Sequence, residues 1–151
     1  MFRRRRPLVP LEIIDGFEAA EGRALQRSMT AALRADERAA RRDVPTVLEI
    51  GPGSGDVLVV IWRNLVVGFV PPDEAMRLRQ LLPTPPVALT IRGVVRWDGG
   101  LWRVWVGDPP DEGFPASTPH HDTLPEPEDT LLGIPLRRRS SRESVWPKDD
   151  R

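Results

Sequence analysis

The chain contains no cysteine, and its longest uninterrupted apolar run, Val57 to Trp62, is only six residues long. Without cysteine the protein can form no disulfide bond, no thiolate metal site and no thiol nucleophile, which fits a cytoplasmic location. A transmembrane helix needs about 20 apolar residues, so we expect no membrane partner. The arginines at positions 3–6 are followed by prolines and acids within residues 7–15, where a signal peptide would have an apolar stretch.

Lysine is also scarce, because all but one of the 22 basic side chains are arginine. Residues 1–107 hold 16 basic and 12 acidic side chains, whereas residues 108–151 hold 6 basic and 10 acidic ones. The formal net charge of zero therefore hides a basic region followed by an acidic one. Arginine suits planar, bidentate contacts to phosphate or carboxylate better than lysine does, although a GC-rich genome would give the same bias.

The composition predicts three parts: a basic N-terminal arm over residues 1–7, one folded domain over residues 8–107, and a tail over residues 108–151. The tail holds 8 of the 17 prolines, and its stretch 108–129 has seven acids and no base. This composition is typical of a largely disordered segment.

The predicted fold class is mainly β with α: a small β-barrel of about six strands with one long and one short helix. A long helix over residues 18–42 carries Leu25, Met29 and Leu33 at a spacing of four residues, which indicates one buried edge. A short helix begins at Pro72 and ends before the prolines at 83–86. The predicted strands are 8–14, 44–50, 56–62, 65–70, 87–97 and 101–106.

The predicted hairpin over residues 56–70 is apolar on both faces. Arg63-Asn64 is its two-residue turn, because asparagine tolerates a positive φ there. This turn pairs Val60 with Val67 across the two strands. A hairpin with two apolar faces must be covered on both sides, as in a small barrel or a sandwich.

Residues 47–55, Val-Leu-Glu-Ile-Gly-Pro-Gly-Ser-Gly, resemble the first motif of class I S-adenosylmethionine-dependent methyltransferases. In that motif the glycine-rich turn opens a helix that completes the cofactor site. Here residues 56–62 have the β-branched and aromatic composition of a strand. The 96 residues after Gly55 are also few for a fold built from units of about 30 residues each. We therefore predict that 51–55 is a hairpin loop, and the methyltransferase is the least favoured hypothesis.

The other candidates for chemistry are weak. His120, His121 and Asp122 could be interpreted as a metal cluster, but the surrounding tail offers no rigid support for metal ligands. Both histidines lie in that tail, so no Ser/His/Asp triad can be argued. We expect no metal, no cofactor and no catalytic residue, and we predict that the protein is not an enzyme.

The strongest functional signal lies in the last predicted hairpin. A turn at Gly99-Gly100 places Arg96 directly opposite Arg103, whereas a turn at Asp98-Gly99 would separate them. Like charges that face each other destabilise a sheet unless an anion or acid neutralises them. The pair therefore indicates either a bound anion or acids supplied by the chain.

A basic sheet face that also carries tryptophan is typical of single-stranded nucleic-acid binding, since cations contact phosphates and aromatic rings stack on bases. In the alternative interpretation, tail acids such as Glu126, Glu128 or Asp129 fold back onto this face. The predicted nucleic-acid-binding residues are Arg92, Arg96, Arg103 and Trp105, named here the basic face.

The segment Val66-Val-Gly-Phe-Val-Pro-Pro-Asp-Glu-Ala-Met-Arg-Leu-Arg-Gln-Leu-Leu82 resembles the HIRAN domain family. That family has a strand with a Val-Gly-aromatic-(Leu/Val)-Pro turn, followed at once by a short helix. The resemblance is best over residues 56–82, and it implies a small β-barrel that binds DNA, including single-stranded ends. The family's Asn-Pro-x-Asp stretch is replaced here by residues 53–56, and Phe69 stands where a tyrosine is expected, so only the core of the fold is carried over.

Two main hypotheses remain open. The first is a non-catalytic nucleic-acid-binding protein, with the arginines at 3–6 adding non-specific attraction to phosphate. The second is a protein-interaction adaptor that uses the β domain and two short apolar motifs of the tail, 131–136 and 145–146. The sequence leaves the ligand's identity and the oligomeric state open.

Overall fold

The computed structural model describes residues 8–13, 15–81, 88–117 and 122–125, together with the backbone of two short strands after them. The elements in chain order are β1 Leu8–Pro10, β2 Phe17–Glu18, α1 Gln26–Ala32, α2 Ala35–Ala40, β3 Val44–Pro52, β4 Leu58–Trp62, β5 Leu65–Phe69, α3 Pro72–Leu81, β6 Ala88–Trp97, β7 Trp102–Val106, β8 Thr130–Leu131 and β9 Ile134–Pro135.

The described strands form one curled, seven-stranded sheet, a half-barrel, and β8 and β9 pair separately. The order β2-β7-β6-β3-β4-β5 is antiparallel throughout, and β1 runs parallel to the first part of β6. The backbones of Ala20 and Phe69 join the two ends of this order through reciprocal hydrogen bonds of 2.7 and 3.0 Å. The predicted class, mainly β with α, is confirmed.

The core lies inside the curl of the sheet and is made of aliphatic side chains from every long strand, such as Leu48, Val60 and Leu89. Each such side chain stabilises the fold by roughly 1.5–3 kcal/mol when it is fully buried. Helix α1 contributes Met29 to this core, and helix α3 contributes Leu78. This arrangement leaves the outer face of β6 and β7 free to meet another part of the chain.

The predicted long helix over residues 18–42 is wrong. Glu18 belongs to β2, where it pairs with Trp105 and is 6% exposed. A turn at 21–25 separates β2 from α1, and a Cβ at Gly22 would lie 3.2 Å from Arg103 Nη1. Alanine and arginine favour helix locally, but pairing with β7 determines the conformation of this segment.

A second break divides the rest of that helix into α1 and α2. Leu33 has extended backbone angles (φ −69°, ψ 139°) and ends α1. The Arg34 N–H then donates to Glu37 Oε1 over 2.9 Å at the start of α2. Arg38 donates to the carbonyl oxygens of Thr30 and Leu33 over 2.8 and 2.7 Å. The predicted edge is nevertheless packed against the core: Met29 and Leu33 are buried, and Leu25 is half-buried.

The β4–β5 hairpin has the predicted turn but a different register. Arg63 and Asn64 have φ of 48° and 65°, and the two residue pairs nearest the turn are as predicted. Beyond them Val60 pairs with Gly68 instead of Val67, so a β-bulge interrupts the ladder. A Cβ at Gly68 would lie 2.6 Å from the Cβ of Ala19. The bulge thus places a residue without a side chain where the chain after β2 crosses β5.

The glycine-rich segment forms a hairpin connection as predicted, but the loop begins at Gly53 instead of Gly51, because Gly51 and Pro52 end β3 and pair with Val59 and Leu58. Strands β3 and β4 are antiparallel, and Gly53 N–H donates to the carbonyl of Val57 over 2.7 Å. A strand, not a helix, follows the glycines. The arrangement that a methyltransferase cofactor requires is therefore missing at residues 51–62.

The remaining boundaries differ in small ways. Strand β1 ends at Pro10, earlier than predicted, because Leu11 makes the last backbone bond to Thr90. Helix α3 buries Ala75 and Leu78 against the core, whereas Leu81 is 53% exposed. The predicted helix end at 83–86 lies outside the described residues.

Candidate nucleic-acid interface

The β6–β7 hairpin has the predicted register, with Arg96 directly opposite Arg103. The carboxylate of Asp98 determines this register, because its Oδ1 accepts hydrogen bonds from the N–H groups of Gly100 and Leu101 over 2.9 and 2.7 Å. An Asp side chain that bonds its own turn is a common way to stabilise a tight connection. The alternative turn at Asp98-Gly99, which would separate the two arginines, is not formed.

Arg103 is buried between two carboxylates, and its side chain is only 7% exposed. Its Nε donates to Asp98 Oδ2 over 3.1 Å, and its Nη1 donates to both oxygens of Asp122 over 2.9 and 2.7 Å. Burial alone would lower the pKa of Arg103, but the bonds to Asp122 and Asp98 outweigh it and raise the pKa above its ordinary value.

Asp98 shows the complementary effect. Burial raises the pKa of its carboxyl, but hydrogen bonds from the backbone of Leu101 and Gly100 and from Arg103 outweigh burial. The pKa of Asp98 is therefore held below its ordinary value, and the carboxyl is ionised at neutral pH. Asp98 thus acts as a fixed counter-ion of Arg103 within its own hairpin.

Arg96 is also buried, with its side chain 11% exposed. Its Nη2 donates to Glu18 Oε1 over 3.2 Å, and the hydroxyl of Ser117 donates to the same oxygen over 2.8 Å. The Arg96 guanidinium lies over the ring of Phe114, 4.6 Å from its centroid. Among the described residues, the Nε of Arg96 finds no hydrogen-bond partner.

Trp105 is 6% exposed, and its indole N–H donates to the carbonyl of Asp108 over 3.0 Å. The ring of Phe114 meets it edge to face, with centroids 5.6 Å apart. Arg92 donates to Asp108 Oδ2 over 2.9 Å, but both side chains remain more than 60% exposed. Of the four predicted residues, Arg92 is therefore the one that solvent reaches freely.

Residues 108–117 and 122–125, named here the covering segment, contact every residue of the basic face. The covering segment belongs to the predicted tail, and it lies against the barrel. Coverage of the basic face by the tail, the alternative raised from the sequence, is thus what the structure shows. The acids that pair with the basic face are Asp108 and Asp122 of the covering segment, together with Glu18 and Asp98, which lie outside it. The acids named from the sequence, Glu126, Glu128 and Asp129, lie outside the described residues. The pair of facing arginines was the sequence feature that indicated this coverage, because two opposed cations require counter-ions.

A turn between β2 and α1 holds the end of the covering segment. Glu21 accepts hydrogen bonds from the N–H groups of Thr123 and Leu124 over 3.1 and 2.8 Å, and from the hydroxyl of Thr123. The backbone N–H of Arg23 donates to Asp122 Oδ1 over 3.1 Å, and its guanidinium donates to the carbonyls of Asp122 and Leu124. No local pattern in the sequence predicts these contacts, because about 100 residues separate the partners.

An apolar cleft of about 420 Å³ lies beside the bridge that joins the two ends of the sheet. One wall is formed by Val57 and residues 69–72 of the barrel, and the other by Thr123 and Leu124 of the covering segment. Val57 and Leu124 are 43% and 45% exposed. A wider pocket of about 820 Å³ lies beside Trp105; its acidic lining residues are Asp15, Asp108, Asp111 and Glu112.

Within the part of the chain that the structure describes, no group of three or more acidic or histidine side chains could hold a metal ion. His120 and His121 lie outside that part. No described helix is long and apolar enough to cross a membrane. Comparison of the chain with family models, with curated proteins and with solved structures finds no match.

Proposed function

We propose that this chain is a non-catalytic nucleic-acid-binding protein whose basic face takes up single strands when its own covering segment is displaced. The observation that carries the proposal is the chemistry of that segment. It offers carboxylates to Arg92 and Arg103, and an aromatic ring to Arg96 and Trp105. A single-stranded nucleic acid offers the same two groups, anionic phosphates for guanidinium and flat bases for tryptophan.

The charge balance explains why displacement is part of the proposal. In the closed arrangement the two buried arginines are surrounded by Glu18, Asp98 and Asp122. Further acids of the segment lie beside Trp105 and would repel a phosphate chain. Removing the segment takes away Asp122 and those acids, and leaves Arg96 paired with Glu18 and Arg103 paired with Asp98.

The resemblance of residues 56–82 to the HIRAN family supports the same class of ligand. It remains a prediction, and it implies binding of DNA that includes single-stranded ends. The resemblance and the basic face are independent reasons for the proposal, because the resemblance rests on β4, β5 and α3 while the basic face lies on β6 and β7.

The test is the affinity for a fluorescently labelled oligothymidylate, measured by anisotropy over a series of salt concentrations. Asp122→Asn removes the carboxylate charge from Arg103 and should tighten binding several-fold. Arg92→Ala should weaken binding and reduce the salt dependence by about one counter-ion. Arg79→Ala, on the exposed side of α3, is the matched control and should change neither quantity by as much.

Arg92 is the better probe because its side chain is exposed, whereas Arg96 and Arg103 are buried in ion pairs and their loss would also destabilise the fold. Failure of both the wild type and Asp122→Asn to bind at low salt would refute the nucleic-acid function.

The second candidate, a protein-interaction adaptor, is favoured by the apolar cleft between Val57 and Leu124. A cleft of this size fits one or two apolar side chains of a partner peptide. The test is to select binding peptides from a random library and then to measure their affinity for the wild type and for Val57→Asp. The adaptor hypothesis requires apolar peptides whose binding is lost in that variant. The two apolar motifs of the tail do not contribute to this argument, because their side chains lie outside the described residues.

A further inference from the structure

We propose that residues 122–125 form a strap that belongs to two sites at once, so that the basic face and the apolar cleft cannot both be available. With the strap closed, the cleft is complete and Arg103 is hidden. With the strap open, Arg103 is accessible and the cleft has lost one wall. The inference rests on the proposed function only in taking Arg103 as the contact for an external anion.

Two charged groups of opposite sign, Arg103 and Glu21, anchor the strap to the barrel, and Arg23 adds hydrogen bonds to Asp122 and Leu124. At one point the barrel supplies the cation, since Arg103 Nη1 donates to both oxygens of Asp122. At the other point the barrel supplies the anion, since the carboxylate of Glu21 accepts the N–H groups of Thr123 and Leu124. Hydrogen bonds to charged groups are stronger than those between neutral groups. The strap is therefore held in one position along the barrel.

Two residues of the strap complete the cleft. Thr123 and Leu124 form its second wall, opposite Phe69 and Val57. The side chain of Leu124 remains 45% exposed, so its own burial contributes little to keeping it in place. The wall therefore depends on the hydrogen bonds of the strap backbone to Glu21 and Arg23.

The two anchors cannot release independently. Asp122 and Thr123 are neighbours in the chain, and consecutive Cα atoms are only about 3.8 Å apart. An anion that takes the place of the Asp122 carboxylate at Arg103 must move Asp122 outward, and this displacement pulls the Thr123 N–H away from Glu21. An event at the basic face is thus transmitted to the cleft through one peptide unit.

Thermodynamic linkage gives the sign of the coupling. An anion that binds Arg103 favours the open strap, whereas an apolar group that contacts Leu124 in the cleft favours the closed strap. Each ligand must therefore weaken the other by the same factor. The arrangement makes the two sites alternatives, although they share no side chain that contacts both ligands.

The first test needs no ligand. Hydrogen exchange of the backbone amides of Thr123 and Leu124 is followed by NMR in the full chain, because exchange of a bonded amide reports local opening. Asp122→Asn should accelerate both amides about tenfold or more, since a charge-assisted pair is lost. Asp111→Asn makes the same change of charge at an exposed position of the covering segment, and should leave both rates unchanged. Unchanged rates in Asp122→Asn would overturn the strap.

The second test measures the coupling with inorganic tripolyphosphate as the anion. Glu21→Gln weakens the anchor at the cleft without altering a contact of Arg103, and it should raise the affinity for tripolyphosphate several-fold. An unchanged affinity in Glu21→Gln would overturn the exclusion between the two sites.

If the proposed function fails but the strap exists, the two tests give different results. If tripolyphosphate binds neither the wild type nor Asp122→Asn, the anion site and the exclusion are both refuted. Faster exchange in Asp122→Asn would still support a strap that Arg103 holds closed.

Discussion

Arg96 and Arg103 face each other across the β6–β7 ladder, and each guanidinium is neutralised by a carboxylate from a different part of the chain. Glu18 of the neighbouring strand β2 holds Arg96, while Asp98 and Asp122 hold Arg103. A pair that would repel in isolation is thereby converted into a buried network that joins β2, the hairpin turn and the covering segment. The stability of the barrel and the accessibility of its basic face depend on the same ion pairs.

Replacing Glu18 should show how much this network contributes to the free energy of unfolding. Glu18→Gln leaves Arg96 buried with a neutral partner, and we expect the free energy of unfolding to fall by about 3–5 kcal/mol. Urea denaturation followed by tryptophan fluorescence measures this loss. Glu74→Gln, which removes a more exposed pair with Arg77, should cost no more than about 1 kcal/mol. Equal losses in the two variants would contradict the structural role of Glu18.

The contribution of Asp98 to stability should depend on pH. Its pKa is lower in the folded protein than the ordinary value of 3.8, so the stabilisation is present above that value and is lost as the pH falls through the folded pKa. The difference in unfolding free energy between the wild type and Asp98→Asn should therefore be largest near neutral pH and shrink below about pH 4. Urea denaturation at a series of pH values measures it, and a difference that stays constant to pH 2 would speak against this assignment.

The contact of Gly68 with the segment after β2 should tolerate no side chain. Gly68→Ala places a Cβ 2.6 Å from that of Ala19, and we expect a loss of about 1–3 kcal/mol from overpacking. At Gly100 the nearest atom to a new Cβ is 3.8 Å away, so Gly100→Ala is the control and should be close to neutral. Thermal denaturation compares them, and a neutral Gly68→Ala would show that the end of the sheet adjusts easily.

Phe114 should protect Trp105 from solvent. Phe114→Ala removes the ring that meets Trp105 at 5.6 Å and lies under Arg96. We expect faster hydrogen exchange of the Trp105 indole N–H, which is bonded to Asp108, and tighter oligonucleotide binding. NMR and anisotropy measure the two effects. Pro115→Ala, next in the chain, serves as the control, and an indole exchange rate that is insensitive to Phe114 would contradict its role as a cover.

Much of the fold could be predicted from local patterns. Runs of β-branched and aromatic residues and the turns at 63–64 and 99–100 predict antiparallel hairpins, and both hairpins form. The bulge at Val67 was missed because it depends on the approach of Ala19, which is distant in sequence. The helix over 18–42 failed for a similar reason, since the partner that draws Glu18 into a strand lies on β7.

The candidate site was predictable in part. The facing arginines and their flanking residues follow from one turn and the two-residue period of a strand. Their burial does not, because Asp122 reaches Arg103 from outside the hairpin and Glu18 reaches Arg96 from another strand. In the sequence, Asp122 is a candidate only as a metal ligand beside His120 and His121, and nothing local connects it with Arg103.

The sequence by itself determined the class of fold, the position of the hairpin turns and the need for an acid or anion at the Arg96–Arg103 pair. These features depend on residues within a few positions of each other, where turn chemistry and strand periodicity act directly. Only the tertiary structure decided that the chain meets this need itself. The contacts that close the basic face join residues up to about 100 positions apart, and their partners are selected by how the barrel curls, which no local pattern contains.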